Sequence, residues 1–176
     1  MTDEFTERKR SVLAPLFFEA GAALYDSQAF EYALVYLLWL ISQLGALGLN
    51  GEEKFDPRRA AAIMDNDEQK TAGQVLGLLK RYVGLRDTLS ERLTAALKAR
   101  NQIVHRFFTD NMERMGQIDE HQKLVEEVRA LRTDVQRGLA ELDLLIKTFA
   151  KIHEPSIDFD VTTKDAREQF MRSTTK

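Results

Sequence analysis

The stretch "LKARNQIVHRFF", Leu97 to Phe108, sets Arg100, Asn101 and His105 within one short run that otherwise reads as packed helix. Histidine is the side chain whose ordinary titration range brackets neutral pH. Arginine carries a permanent charge on a forked donor. Such a pair either moves protons and holds an anion, or ties a helix to its neighbour. No other stretch of the chain offers as direct a route to chemistry.

On a helix of about 100° per residue, with Arg100 set at zero, Leu89 and Phe107 fall about 20° to one side and Leu93 about 20° to the other. Arg100 therefore sits in the middle of the apolar stripe. His105 falls about 140° away, close to Asn101 and Thr94, on the border of the polar face. An ideal wheel keeps Arg100 and His105 from sharing a small site within one subunit unless Arg100 curls along the stripe. A guanidinium in that stripe also needs a partner, because an unpaired buried charge costs several kcal/mol. Glu31 is available, on a helix that carries Val35 and Leu38 on its own side. A Glu31–Arg100 ion pair fixing two helices, with His105 an exposed border residue, is one full account of the pattern.

The elements that must position these residues are helices throughout, since apolar residues recur at threes and fours rather than twos. The expected fold class is all-α: a bundle of four to five main helices with a long C-terminal helix. A first helix is expected from about Asp3 to Leu24, kinked or divided by Pro15, and a second from a cap at Asp26 to about Leu44. "GALGLNG" ends it. Within 52–69, "DPRRAAAIM" suits a short helix in a connection, with Asp56 as cap and Pro57 in the first turn. One helix then begins near Thr71, and another runs from about Arg86 to Phe108. "TDNMERMGQ" breaks the pattern before a long helix, about Ile118 to Ile152, in which Leu124, Val128, Leu131, Val135, Leu142, Leu145, Phe149 and Ile152 hold a three-four spacing and Gly138 fills one position. That seam fits packing within the bundle or across a dimer. The expected organisation is one helical domain over 1–153 and a tail over 154–176, where Ile157, Phe159 and Val161 alternate.

Composition narrows the function classes. A chain of 176 residues with 44% hydrophobic content and 30% charge suits one well-packed core. It contains no cysteine, which removes thiolate metal sites, disulfides and cysteine nucleophiles. A cytoplasmic location is the simplest reading. Formal net charge is −3, so no global field gathers nucleic acid. "RKR", Arg8 to Arg10, reads as a solvated helix face. Acidic Asp3, Glu4 and Glu7 precede it, against a secretory leader. From Tyr32 to Gly51 no charge occurs, nearly a bilayer-spanning length; polar Ser42, Gln43 and Asn50 and the absence of basic flanks favour a helix buried by its neighbours. The chain has no glycine-rich phosphate loop, no helix with two zinc-binding histidines and no serine elbow. His121, beside Asp119 and Glu120, reads as a wet helix surface, and His153 as a charge at a helix end. No cofactor and no metal is expected.

"RNQIVH" followed by "RFF" resembles the signature helix of the HEPN superfamily of small helical-bundle proteins. The likeness extends upstream to "KTAGQVLGLLKRYV" and downstream to the long last helix, covering about Phe30 to Ile152. The resemblance implies a homodimer in which two signature helices meet in a composite cleft that cuts RNA without a metal, the enzyme being of toxin or phage-defence type and restrained by an inhibitory protein partner. DNA is not an implied substrate. Carried onto this sequence, His105 is the general base or acid at a ribose 2′-hydroxyl or leaving oxygen, Arg100 holds the scissile phosphate, and Asn101 orients His105 or contacts the backbone. The same resemblance covers non-catalytic interaction domains, in which Arg100 and Glu31 are structural. Both readings stand at this point, with membrane attachment through 32–51 a third.

Overall fold

The computed structural model describes residues 2–46 and 72–153, all in helices and the short turns between them. The expected connecting helix in 52–69 and the tail after 153 lie outside the described residues. Helix α1 spans Thr2–Ala46, α2 Ala72–Val83, α3 Asp87–His105, α4 Phe107–Asp110 and α5 Met112–Met115. A 3₁₀ turn, Ile118–Glu120, leads into α6, His121–His153. Three substantial helices, α1, α2 and α3, and the long α6 match the expected all-α class among the described residues.

The division of the first segment is corrected: α1 is one helix of 45 residues that runs through both Pro15 and Asp26. Proline in a helix interior removes one backbone hydrogen bond and costs about 3 kcal/mol. Packing beyond it outweighs this, with Leu16, Ala20 and Ala23 buried just after Pro15, whose own ring faces out. Asp26 is no cap. Its carboxylate accepts hydrogen bonds from Arg132 Nε at 2.7 Å and Gln136 Nε2 at 2.8 Å, both on α6. An aspartate looks the same in sequence whether it caps its own helix or accepts from another.

Helix α6 packs along α1 and α3, so the three-four seam is internal to one chain. Leu124, Val128, Val135 and Leu142 are fully buried, with Leu131, Leu145 and Phe149 packed at the margin. Gly138 of α6 lies close against Ala96 of α3 and Phe30 of α1. A Cβ built there would stand 2.3 Å from Ala96 Cβ and 3.0 Å from the Phe30 ring. Helix α2 closes one end through Val75, Leu76 and Leu79. It turns into α3 at Gly84, whose φ of +59° is one that glycine adopts without a Cβ penalty.

The uncharged run beginning at Tyr32 supplies Leu34, Leu37, Leu38, Leu40 and Ile41 to this core. Among the described residues no helix is long and apolar enough to cross a membrane.

Candidate functional site

Arg100, Asn101 and His105 come together at the C-terminal end of α3. Asn101 and His105 are four apart and share a helix face. Arg100 reaches across to them: its Nη1 donates to Asn101 Oδ1 at 3.0 Å and lies 3.1 Å from His105 Nε2. A guanidinium has no acceptor, so Nε2 must accept and the neutral ring carries its proton on Nδ1. On the other side, Nη2 donates to the Glu31 carboxylate of α1 in a salt bridge. One arginine thus joins all three partners within a single chain.

That convergence corrects the expectation that Arg100 and His105 point apart. A wheel treats side chains as radial spokes. Five residues rise only about 7.5 Å along the axis, within reach of an extended arginine, and helical Cα–Cβ bonds lean toward the N-terminus, tilting the His105 ring back over the preceding turn. The Arg100 side chain keeps 13% of its exposure and Glu31 36%. Asn101 and His105 are exposed. Arg100 Nε is buried with no hydrogen-bond partner. The cluster is therefore half sunk: an anchored cation with its two polar companions at the surface.

Beyond His105 the helix breaks at Arg106, whose φ of −127° leaves the α region, and Phe107 restarts it. Phe107 is buried. It meets Phe108 edge-on at 5.6 Å, and Phe108 stacks on Phe17 of α1 at 6.0 Å. The two aromatics after the histidine thus fix the end of α3 against α1. Exposed Lys98 and Arg106 flank the cluster along the chain.

Three polar arrangements escaped the sequence. Glu19, buried on α1, takes Arg129 Nε at 2.8 Å and Arg132 Nη1 at 3.4 Å. The Asp26 hydrogen bond, the largest cause, raises the Arg132 pKa, and coulombic attraction to Asp26 and Glu19 adds to it. Glu19 and Asp26 lie seven apart on the inward face of α1, and that spacing was the available signal.

Arg114, just before α6, donates to Glu120 at 2.9 Å, to Asn111 at 2.7 Å and to Glu127 at 2.8 and 3.0 Å. Its pKa is raised, chiefly by the Glu127 and then the Glu120 hydrogen bonds. Glu120 is held below its usual range by Lys123 first and Arg114 second.

His121 is not a wet surface residue. It is 1% exposed, and its Nε2 donates to the Met115 carbonyl at 2.8 Å. Among the described residues no group of three or more His, Asp or Glu side chains is placed to hold a metal ion. No family model matches the chain, and comparison with curated proteins and with solved structures finds no match.

Proposed function

We propose that this chain is a HEPN-like helical domain acting as a metal-independent endoribonuclease of toxin or phage-defence type, active as a homodimer and restrained by an inhibitory protein. The observation that carries the reading is the hydrogen-bonded Arg100–Asn101–His105 cluster at an exposed helix end. In this reading Arg100 turns from His105 Nε2 to the bound phosphate, and the freed Nε2 lone pair takes the proton of a ribose 2′-hydroxyl. The resulting oxygen attacks the adjacent phosphorus as the P–O5′ bond breaks, leaving a 2′,3′-cyclic phosphate; the departing 5′-oxygen takes a proton from water, and no covalent enzyme intermediate forms. Arg100 neutralises the charge that develops on the phosphate oxygens. Asn101 steadies the guanidinium through its carboxamide oxygen.

His105→Ala should abolish cleavage of single-stranded RNA in the presence of a chelator while leaving the melting temperature within about 2 °C, because an exposed substitution changes stability by about 0.5 kcal/mol or less. A purified wild-type protein that cuts no RNA, and whose expression harms no host, removes the proposal.

A second reading rests on a different observation, the Arg100–Glu31 salt bridge between α3 and α1. Here the fold is a non-catalytic interaction module and Arg100 ties two helices. A loss of about 2 kcal/mol in Arg100→Ala, with no RNA cleavage in the wild type, selects it.

A further inference from the structure

Within this acidic chain, α3 ends in a stretch without acids. From Arg92 to Thr109 the sequence holds Arg92, Lys98, Arg100, His105 and Arg106 and no aspartate or glutamate; Glu91 and Asp110 bracket it. Arg92 is taken by Glu141 and Arg100 by Glu31. Lys98 and Arg106 are exposed and form no ion pair among the described residues.

Thr94, Lys98, Asn101, His105 and Phe108 follow one another at intervals of four, three, four and three, the spacing that keeps side chains on one helix face. The departure at Arg106 bends this line without cutting it. The Arg106 N–H still donates to the Gln102 carbonyl at 3.1 Å, and the Arg106 carbonyl accepts the Asp110 N–H at 2.8 Å. Lys80 of α2 leans onto the start of the line, its Nζ donating to Thr94 Oγ1 at 2.7 Å. The line thus begins with cations, passes the Arg100–Asn101–His105 cluster and ends in aromatic rings.

At that end Phe108 is braced edge-on by Phe107 and stacks on Phe17 with an interplanar angle of 21°. Phe108 packs against the core, whereas Phe17 is 53% exposed, so the stack is open to water on the α1 side. A ring already held in such a pair loses little freedom when a further flat ring joins it.

We propose that this face of α3 is a track for an unpaired RNA strand, with Lys80 and Lys98 holding phosphates on one side of the Arg100–His105 cluster and the Phe17–Phe108 stack taking a base on the other. The inference rests on the nuclease reading above for what is done to the strand, and it adds the residues that grip the strand away from the reacting atoms. Backbone cations combined with rings on which bases stack are the two means by which single strands are held. Ten residues separate Lys98 from Phe108, about 15 Å along the axis, so one short strand meets both ends. A duplex keeps its base faces inside its own stack and offers Phe17 nothing.

Fluorescence anisotropy with the full chain tests the track. The probes are a 2′-O-methyl oligouridine of about ten nucleotides, within single-strand site sizes, and an abasic strand of the same length and charge. Neither carries the attacking hydroxyl, so neither is cut. Wild type should bind the base-bearing strand at least about fivefold more tightly than the abasic one. Phe17→Leu keeps an apolar side chain and removes the ring; at unchanged helical circular dichroism it should erase that preference and leave the abasic affinity as it was, and Phe17→Tyr should restore it. Lys98→Ala should weaken both strands alike and lower the slope of log affinity against log salt by about 0.7. Equal binding of both strands by wild type, a base preference that survives Phe17→Leu, or a salt slope untouched by Lys98→Ala overturns the proposal. So does a wild type that binds neither strand, which would give the face to a protein. Binding as expected without cleavage of ordinary RNA leaves the track standing and removes only the nuclease reading, whereas cleavage without base preference removes only the track.

Discussion

Arg100 serves two masters, and its energetics separate them. The salt bridge to Glu31 is neither fully buried nor fully exposed. Truncating Arg100 should therefore cost about 2 kcal/mol, between the 0–1 of exposed pairs and the 3–5 of buried ones. A double-mutant cycle of Arg100→Ala with Glu31→Ala, read by urea unfolding, should return about 1 kcal/mol of coupling; a value near zero would leave Arg100 free for an anion. The sequence placed Arg100 in an apolar stripe and named Glu31 as its carboxylate, and both were legible because a charge among leucines must find a partner. His105 as a partner of the same guanidinium was not legible. Helical periodicity records where a side chain starts, and arginine ends far from where it starts.

At the scale of elements, helix type and the order of the long helices followed from three-four periodicity, which the buried seam of α6 bears out. The expected break at Asp26 did not hold, because Glu19 and Asp26 answer arginines more than a hundred residues away. Local capping rules contain no such information. Burial of His121 was hidden for a similar reason: its acceptor is the Met115 carbonyl, and a backbone acceptor leaves no trace in residue types. Gly138 marks a tight crossing. Gly138→Ala gains about 1 kcal/mol of helix propensity but must push against the Ala96 Cβ, which cannot rotate away. We expect a net loss of about 1–2 kcal/mol in chemical denaturation, and Ala96→Gly in the same chain should recover part of it by vacating the contact. An unchanged or raised midpoint for Gly138→Ala would mean that α3 and α6 slide apart without penalty.

For the whole molecule, the charges around Arg114 set how stability responds to acid. Glu120 is held below its ordinary value of 4.5, first by Lys123 and then by Arg114. In the unfolded chain it returns to the usual range, so the unfolded state binds its proton at higher pH. The stabilisation is complete above the unfolded value and is lost as pH falls through the folded one. Unfolding midpoints should drop on acidification across and below that range, and Glu120→Gln should flatten the dependence; an identical acid slope in the variant would place the effect elsewhere.

The α1–α6 pairing has a consequence for the order in which the chain acquires its shape. Glu19 and Arg129 are separated by 110 residues and Asp26 and Arg132 by 106. At ribosomal rates of about 5–20 residues per second, α1 emerges roughly 5–20 s before its partner exists. During that interval its core face, with Leu16, Phe30, Leu34 and Leu38, lacks the helix that covers it. Helical domains rich in local contacts escape such a wait. Here the buried face of α1 waits for α6, made more than a hundred residues later.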